Sequence, residues 1–239
     1  MTKFQIEVVG HRVVVKARFE TTRAHCAGFL CDGEADFSLE ITPEDIAFER
    51  EESLRRNGRA DQDTYLELIA LLRKVSEGLL EYDTLLFHGS VIAVDGTAYL
   101  FTAPSGTGKS THTRLWRQML GSRAVMVNDD KPFLRITETG VLACGSPWNG
   151  KHRLGTNTSV PLKAICILER GEENEIHPIP AREALSALFQ QSARPKDRRR
   201  IRKYMELLDR LSRGVEFYRL CCNMDLEAAR VAFETMCGM

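Results

Sequence analysis

Hydrophobic and polar positions alternate at the start of the chain in the way that half-buried β-strands require. Residues 4–9 and 12–16 are β-branched runs on either side of Gly10, which predicts two strands of an antiparallel layer. Residues 37–48 show short apolar alternation that is broken at Pro43. We expect this segment to extend the same β-rich layer.

A change of period predicts a helix, and a turn signal further along predicts a hairpin. From Asp63 to Leu80 the apolar positions recur at helical spacing, as in an amphipathic helix. The pair Asp95–Gly96 separates two β-rich runs, and such a pair supplies the positive φ values of a type I′ turn. We therefore expect the strand at 98–102 to be the second strand of an antiparallel hairpin.

The remaining patterns predict a second hairpin and a helical C-terminal third. Residues 133–144 hold two apolar runs around a Gly-containing turn, and 163–168 has the character of a buried strand. Apolar stripes at helical spacing predict three helices, at 181–191, 197–212 and 225–237. Together these elements predict an α/β protein with a mixed, hairpin-rich sheet.

Composition and charge narrow the classes of function. The chain has 239 residues, of which 43% are hydrophobic, and 33 Lys and Arg balance 33 Asp and Glu. Proteins that bind duplex nucleic acid usually carry a basic excess, so the neutral balance argues against nucleic acid as a partner. No apolar run approaches the roughly 18 residues of a membrane span, so we expect a cytoplasmic protein without membrane contact. Seven scattered cysteines predict reduced thiols without assigned chemistry.

Residues 103–110 carry a phosphate-binding pattern, Ala-Pro-Ser-Gly-Thr-Gly-Lys-Ser, between a predicted strand and a helix that we expect to end at Gly121. In G-x-x-x-x-G-K-[ST] loops, backbone N–H groups and the helix N-terminus bind phosphate oxygens. We expect Lys109 to reach the β and γ phosphates and Ser110 to hold Mg²⁺. Ala103 departs from the consensus glycine, and a glycine-rich turn without a ligand is the alternative. The nucleotide-binding residues predicted in this way are Ser105, Gly106, Thr107, Gly108, Lys109, Ser110 and Thr111.

An apolar strand at 124–127 leads to two adjacent carboxylates, Asp129 and Asp130. Mg²⁺ prefers oxygen ligands, and phosphoryl transfer benefits from a carboxylate that accepts the proton of the attacking hydroxyl, so the two acids can divide these tasks. A simple turn before Pro132 is the alternative. His88 lies directly before the first hairpin. Its imidazole would contact the transferred phosphate, assist proton transfer or ligate metal, unless it is a structural hydrogen-bonding residue.

The order of these motifs resembles the catalytic domain of HPr kinase/phosphorylase, within the phosphoenolpyruvate-carboxykinase-like group of P-loop proteins. His88-Gly89, the Asp-Gly hairpin, the glycine-rich loop and the Val-Asn-Asp-Asp segment follow one another as in that family, over about residues 85–170. The resemblance implies a P-loop kinase core in an α/β fold. It divides the chain into a β-rich N-terminal subdomain with a helix, 1–84, and a catalytic domain, 85–239. It also implies a homo-oligomer.

The same resemblance implies roles for individual residues. ATP and Mg²⁺ would be the cofactors, with Lys109 and Ser110 on phosphate and metal. One of Asp129 and Asp130 would be the general base and the other a metal partner, with His88 near the transferred group. We carry over Asp129 as the base and Asp130 as the metal ligand, a choice that neither spacing nor composition makes.

The chain departs from that family after the second hairpin, where the usual closing signature is missing. In its place stands the glycine-flanked segment 145–153, in which Lys151 and Arg153 would neutralise the charge of a transferring phosphoryl group. Trp148 would form one wall of an acceptor pocket, and Asn157 would contact nucleotide or acceptor. An ordinary surface loop is the alternative. This segment is similar to small HPr-kinase-like proteins, some encoded beside peptide-modification genes, so we do not expect HPr itself as the acceptor.

These features predict an ATP- and Mg²⁺-dependent kinase that transfers the γ-phosphoryl group to a hydroxyl, either of a serine in a peptide or protein or of a small metabolite. A nucleotide-binding sensor without catalysis and a phosphorylase acting in the reverse direction are the alternatives. Residues 194–203 hold seven Lys and Arg in ten positions. They form a solvated helix face or a docking face for an acidic peptide.

Overall fold

Two units make up the computed structural model, which describes residues 1–238. The first is Met1–Glu81 and the second begins at Tyr82. Residue 239, with which the expected catalytic domain ends, lies outside the described residues. Over residues 1–238, no helix is both long enough and apolar enough to cross a bilayer.

In the first unit, a three-stranded sheet carries its apolar side chains on one face. Its strands and helices are β1 (Thr2–Val8), β2 (His11–Ala17), α1 (Glu20–His25), β3 (Phe37–Glu40), α2 (Pro43–Asn57) and α3 (Asp63–Leu79). β1 and β2 are antiparallel, as predicted, whereas β3 joins β2 in parallel. Alternate residues of β1 and β2 are buried, as the period of two predicts. The helix predicted from Asp63 is confirmed as α3.

The prediction of a β-rich segment over 37–48 is wrong beyond Glu40, where β3 ends. Pro43 begins α2, and Thr42 caps it, because Asp45 N–H donates to Thr42 Oγ1 (3.3 Å) and Thr42 N–H donates to Asp45 Oδ2 (2.9 Å). Proline in a first helical turn lacks only an N–H that has no helical partner there. Pro43, which interrupts the strand pattern, therefore begins a helix. The capping box formed by Thr42 and Asp45 is the sequence signal for that helix start.

The second unit is mixed α/β, and its sheet has nine strands in the part of the chain that the structure describes. The elements are β4 (Thr84–Leu86), β5 (Ser90–Val94), β6 (Thr97–Thr102), α4 (Lys109–Leu120), β7 (Ala124–Asn128), β8 (Phe133–Ile136), β9 (Val141–Cys144), β10 (Ser159–Arg170), β11 (Glu175–Pro178), α5 (Ala181–Gln191), α6 (Arg198–Gly214), β12 (Glu216–Cys222) and α7 (Leu226–Cys237). The α/β class and the mixed, hairpin-rich sheet are confirmed.

Both predicted hairpins are present in this sheet. β5 and β6 are antiparallel around Asp95 and Gly96, whose φ values of 49° and 81° are those that a type I′ turn requires. β8 and β9 form the second hairpin. The strand predicted at 163–168 is the centre of β10, which pairs in parallel with β6 and with β12.

The C-terminal third is less helical than predicted. α5, α6 and α7 lie at the predicted positions, but Glu175–Pro178 and Glu216–Cys222 are the strands β11 and β12. β12 shows no clean alternation of buried and exposed residues, so the period of two that marks a half-buried strand is missing. Its pairing with β10 joins segments about 50 residues apart in the chain, so local periodicity did not reveal it.

The sheet topology brings the ends of several strands to one edge. β6, β10 and β12 are parallel, and β7 runs in the same direction because β6 and β7 both pair antiparallel with β5. The C-terminal ends of these four strands and the start of β5 therefore meet at one edge. In open α/β sheets, ligands bind at the carboxyl ends of the strands.

Candidate functional site

The loop between β6 and α4 holds two glycines in a backbone conformation that favours glycine. Gly106 and Gly108 have φ values of 81° and 130°, which residues with a side chain rarely adopt. A Cβ added at either position would meet nothing within 4 Å, so glycine is required for its conformation rather than for space. The predicted order of strand, loop and helix is present, and α4 begins at Lys109 and ends before Gly121 as expected.

Lys109 is buried within this loop. Its Nζ donates to the carbonyl oxygens of Ala103 (2.8 Å) and Pro104 (3.3 Å). Burial lowers the pKa of Lys109, an effect that Asp130 opposes and Lys131 reinforces. A desolvated ammonium group bound to two neutral carbonyls is stabilised further by any anion that enters the loop.

Arg170, at the end of β10, holds the outer side of the same loop. Its Nε donates to the carbonyl oxygen of Thr107 (3.3 Å), and its Nη2 donates to that of Gly106. These bonds depend on the parallel pairing of β6 with β10, which places Arg170 beside the loop. Arg170 is not predicted from the sequence, since no local pattern reports which strand lies next to the loop.

Asp129, directly after β7, is 5% exposed, and a backbone amide fixes its carboxylate. The N–H of Gly150 donates to Asp129 Oδ1 over 2.7 Å. A Cβ at position 150 would lie 2.7 Å from Oδ2 of the same carboxylate, which is inside ordinary contact distance. Only glycine at 150 therefore allows this close approach.

Asn128 forms the turn that carries both aspartates. Its Oδ1 accepts the N–H groups of Asp130 (2.9 Å) and Lys131 (2.7 Å), while its Nδ2 donates to the carbonyl oxygens of Ser146 (3.2 Å) and Trp148 (3.3 Å). This buried amide thus connects the turn to the segment after β9. A turn was the alternative to a strand that delivers two carboxylates, and the structure has both. The Asn128 side chain forms the turn by accepting the next two amides, and that turn carries Asp129 and Asp130.

His88 presents a nitrogen to Asp130. Its Nδ1 donates to Oε1 of Gln191 (2.7 Å), so in the neutral imidazole Nε2 carries no proton; Nε2 lies 3.4 Å from Asp130 Oδ1. Burial lowers the pKa of His88, and the charges of Lys131 and Lys109 lower it further. His88 is therefore neutral near pH 7, with an unprotonated nitrogen beside a carboxylate.

A cavity of about 430 Å³, here named the phosphate cavity, brings most of the predicted site residues together. Its lining residues are His88, Ser105, Gly106, Gly108, Lys109, Ser110, Thr111, Asp129, Asp130, Gly150, Lys151 and His152. Thr107 is the one predicted nucleotide-binding residue of the loop that lies outside this lining. It faces a cavity of about 450 Å³ beyond the loop, toward β10 and β12, which we name the outer cavity.

Oxygen donors suited to Mg²⁺ lie within the phosphate cavity, namely the Ser110 hydroxyl and the carboxylates of Asp129 and Asp130. Across the described residues no group of three His, Cys, Asp or Glu is arranged to hold a metal ion. A nucleotide-bound Mg²⁺ uses only one or two carboxylates, because phosphate oxygens and water complete its octahedral shell. The donor set fits a metal that arrives with a nucleotide.

The segment after β9 has mixed outcomes. Lys151 is exposed and lines the phosphate cavity, as its predicted role needs. Arg153 and Asn157 are exposed and belong to none of the cavities described here. Trp148 is buried, packs edge-on against Phe133 with ring centroids 6.5 Å apart and lines neither cavity, so its interpretation as a wall of an acceptor pocket stays a prediction.

The basic stretch at 194–203 lies at the start of α6, and none of its residues lines the phosphate cavity or the outer cavity. Arg202 pairs with Glu206 (3.0 Å), and Lys203 pairs with Asp83. Exposed pairs of this kind contribute little to stability. Their presence favours the solvated helix face over the docking face.

Comparison with known proteins identifies a family and a weak structural likeness. A search of curated proteins finds no match. Among solved structures, the HPr(Ser) kinase/phosphatase from Coxiella burnetii is similar to this chain at a TM-score of 0.37 and 10% identity, over 64% of this chain and 93% of that one. The family model described as SynChlorMet cassette protein ScmC matches residues 56–225, which is more than half of the chain. The chain therefore belongs to the ScmC family of SynChlorMet cassette proteins.

Proposed function

We propose that the chain is an ATP- and Mg²⁺-dependent phosphotransferase that moves the γ-phosphoryl group of ATP to a hydroxyl. The observation that carries the proposal is the phosphate cavity. Two carboxylates, a neutral histidine and two lysines line it together with the N-terminal turn of α4 and the glycine-rich loop. Positioning and charge stabilisation supply most of the catalysis in phosphoryl transfer, and these groups are of the types that it requires.

The nucleotide would bind across the loop. Its phosphates would accept hydrogen bonds from loop amides at the N-terminus of α4, and Lys109 would exchange the carbonyls of Ala103 and Pro104 for phosphate oxygens. The nucleoside would extend into the outer cavity, where Leu168 and Cys222 offer apolar surface and Arg170 braces the loop. Mg²⁺, held by Ser110 and Asp130, would neutralise charge on the phosphates.

The transfer step would centre on Asp129. The acceptor oxygen attacks the γ-phosphorus while its proton passes to the Asp129 carboxylate, and the bond between the γ-phosphorus and the β–γ bridging oxygen breaks. ADP leaves with that electron pair. The Gly150 amide holds Asp129 in place, Lys151 would bind the oxygens of the transferring group, and the unprotonated His88 nitrogen would assist proton transfer at the same cavity.

The test combines nucleotide binding with transfer. Purified protein is incubated with Mg²⁺, γ-labelled ATP and a set of serine peptides and small hydroxyl compounds, and label is counted in acceptor and in water. We expect Asp129→Asn to keep its ATP affinity and to lose transfer by about 10²- to 10⁴-fold, because it removes a general base. Lys109→Ala should lose ATP affinity, and the exposed Asp209→Asn on α6 is the matched control.

Each outcome has a defined meaning. Transfer by Asp129→Asn at the wild-type rate would refute the assignment of the base. Failure of the wild-type protein to bind ATP would refute the whole proposal. Tight ATP binding with label in neither acceptor nor water would show a nucleotide-binding sensor instead.

A further inference from the structure

A third cavity, of about 420 Å³, adjoins the phosphate cavity at Asp129. We name it the side cavity. Ser110, Thr111, Asp129 and His152 line both cavities, so one carboxylate borders the two spaces. A group bound in the side cavity can therefore present an atom to Asp129 and to a phosphate at the loop.

Two arginines of α4 line the side cavity. Arg114 and Arg117 follow Ser110 by four and seven residues, so the three side chains share one face of the helix. At a rise of 1.5 Å per residue, the two arginines lie about 6 Å and 10 Å along the helix axis from Ser110. The face leads from the phosphate-binding turn of α4 into the side cavity.

Neither guanidinium has a carboxylate partner within residues 1–238. Among the residues that line the three cavities described here, Arg170 is the one other arginine, and it donates to loop carbonyls. Asp129 is the one carboxylate in the side-cavity lining, and the Gly150 amide already binds it. Two unpaired guanidinium groups in a concave site match a carboxylate or a phosphate, with which arginine forms paired hydrogen bonds.

We propose that the side cavity binds the phosphoryl acceptor and that the acceptor is anionic. Its hydroxyl would lie at Asp129, and a carboxylate or phosphate about 6 to 10 Å away would lie on Arg114 and Arg117. Met126 and Leu154 supply apolar contact for the part between the two groups. The inference rests on the proposed function, since it assigns the acceptor of that transfer, and the arginines act as specificity-determining residues.

The phosphates of ATP do not account for this arginine pair. In the strand order, β10 and β12 lie on one side of β6, and β5 and β7 lie on the other. The outer cavity is on the first side, and the side cavity, which includes Met126 of β7, is on the second. A nucleoside in the outer cavity and an acceptor in the side cavity would thus approach the loop from opposite sides.

Two pairs of acceptors test the proposal and distinguish a peptide from a small molecule. The peptides are N-acetyl-Gly-Ser-Gly-Glu-Glu-amide and its Gln-Gln counterpart, whose acidic groups lie about 7 and 10 Å along an extended chain from serine. The small compounds are glycerol 3-phosphate and glycerol. In each pair of which at least one member is phosphorylated, we expect the anionic compound to have at least a tenfold higher kcat/KM than its neutral counterpart.

Variants of Arg114 and Arg117 test whether these two side chains cause the preference for an anionic acceptor. Arg114→Gln/Arg117→Gln should lower kcat/KM for the anionic acceptor at least tenfold, mainly through KM, and leave the KM for ATP unchanged. Arg182→Gln/Arg230→Gln removes the same charge elsewhere on the second unit and should behave as wild type, because Arg182 is exposed and Arg230 has only an exposed ion pair. Equal use of both members of each pair, or wild-type kinetics in the double variant, would overturn the proposal.

A binding arm separates this inference from the proposed function. Fluorescence anisotropy of the labelled acidic and neutral peptides is measured with wild type and the double variant, and ATP binding is measured separately. If ATP fails to bind but the acidic peptide still binds through the arginines, the proposed function is wrong and the anion site stands. If ATP binds and is hydrolysed while neither anionic compound is bound or phosphorylated, the anionic acceptor is refuted.

Discussion

Gly150→Ala tests how closely transfer depends on the position of Asp129. The new Cβ would lie 2.7 Å from Asp129 Oδ2 and 3.1 Å from its Cγ, whereas ordinary contacts begin at 3.4 Å. The carboxylate must therefore withdraw by about 0.7 Å, the difference between the first and last of these distances. That movement also strains the 2.7 Å hydrogen bond from the Gly150 amide.

The expected loss follows from this displacement. A misplacement of 1 Å at a reacting group costs about 10²-fold in rate, so a shift of this size should lower kcat by about 10- to 50-fold. This range corresponds to about 1.4 to 2.3 kcal/mol in the barrier. ATP affinity should stay within about twofold of wild type, because the loop and Lys109 are untouched.

The assay measures kcat with the best acceptor and ATP affinity by equilibrium binding, with thermal unfolding to confirm that the variant folds. Gly28→Ala is the matched control, since its Cβ would meet nothing within 4 Å and its φ is unremarkable. In an Asp129→Asn background, Gly150→Ala should add little, because both changes act through one carboxylate. A kcat within twofold of wild type, or a full additional loss in that background, would refute the reasoning.

Two further predictions concern buried polar groups. Burial lowers the pKa of His112 from 6.5 to about 3. Below pH 6.5 the unfolded chain therefore takes up a proton that the folded chain does not. The free energy of unfolding should fall as pH falls, by about 1.4 kcal/mol per pH unit. The free energy of unfolding is measured with urea at pH 7 and pH 4, and between these pH values His112→Gln should lose about 3 kcal/mol less than wild type. Exposed His177→Gln is the control. Equal losses in His112→Gln and wild type would contradict the assignment. In the first unit, buried Glu67 accepts the N–H groups of Arg18 (2.7 Å) and Phe19 (3.1 Å) and the Thr22 hydroxyl. Glu67→Ala should lower the free energy of unfolding of that unit by about 3 kcal/mol, because it leaves buried donors unpaired, whereas exposed Glu51→Ala should change it by less than about 0.5 kcal/mol; equal unfolding curves would refute this.

Local elements followed from the sequence because their causes are local. Helical period predicted α3 and the three C-terminal helices, the Asp95–Gly96 pair predicted the hairpin before the loop, and the glycine-rich pattern predicted a strand, a loop and a helix in that order. The start of α2 at Pro43 also has a local cause, the Thr42–Asp45 capping box, which lies in the same residues as the apolar alternation that predicted a strand.

The site itself depended on contacts between distant segments. The sequence by itself predicted Lys109, Asp129, Asp130, His88 and Lys151 as site residues. Tertiary structure decided which groups hold them: the Gly150 amide on Asp129, the Gln191 side chain on His88, and Arg170 on the loop. Strand pairing and loop packing set these contacts, and they join residues between 21 and 103 positions apart, beyond the reach of periodicity and turn chemistry. The sequence thus determined the chemistry available at the strand ends, and the sheet order determined which of those groups meet.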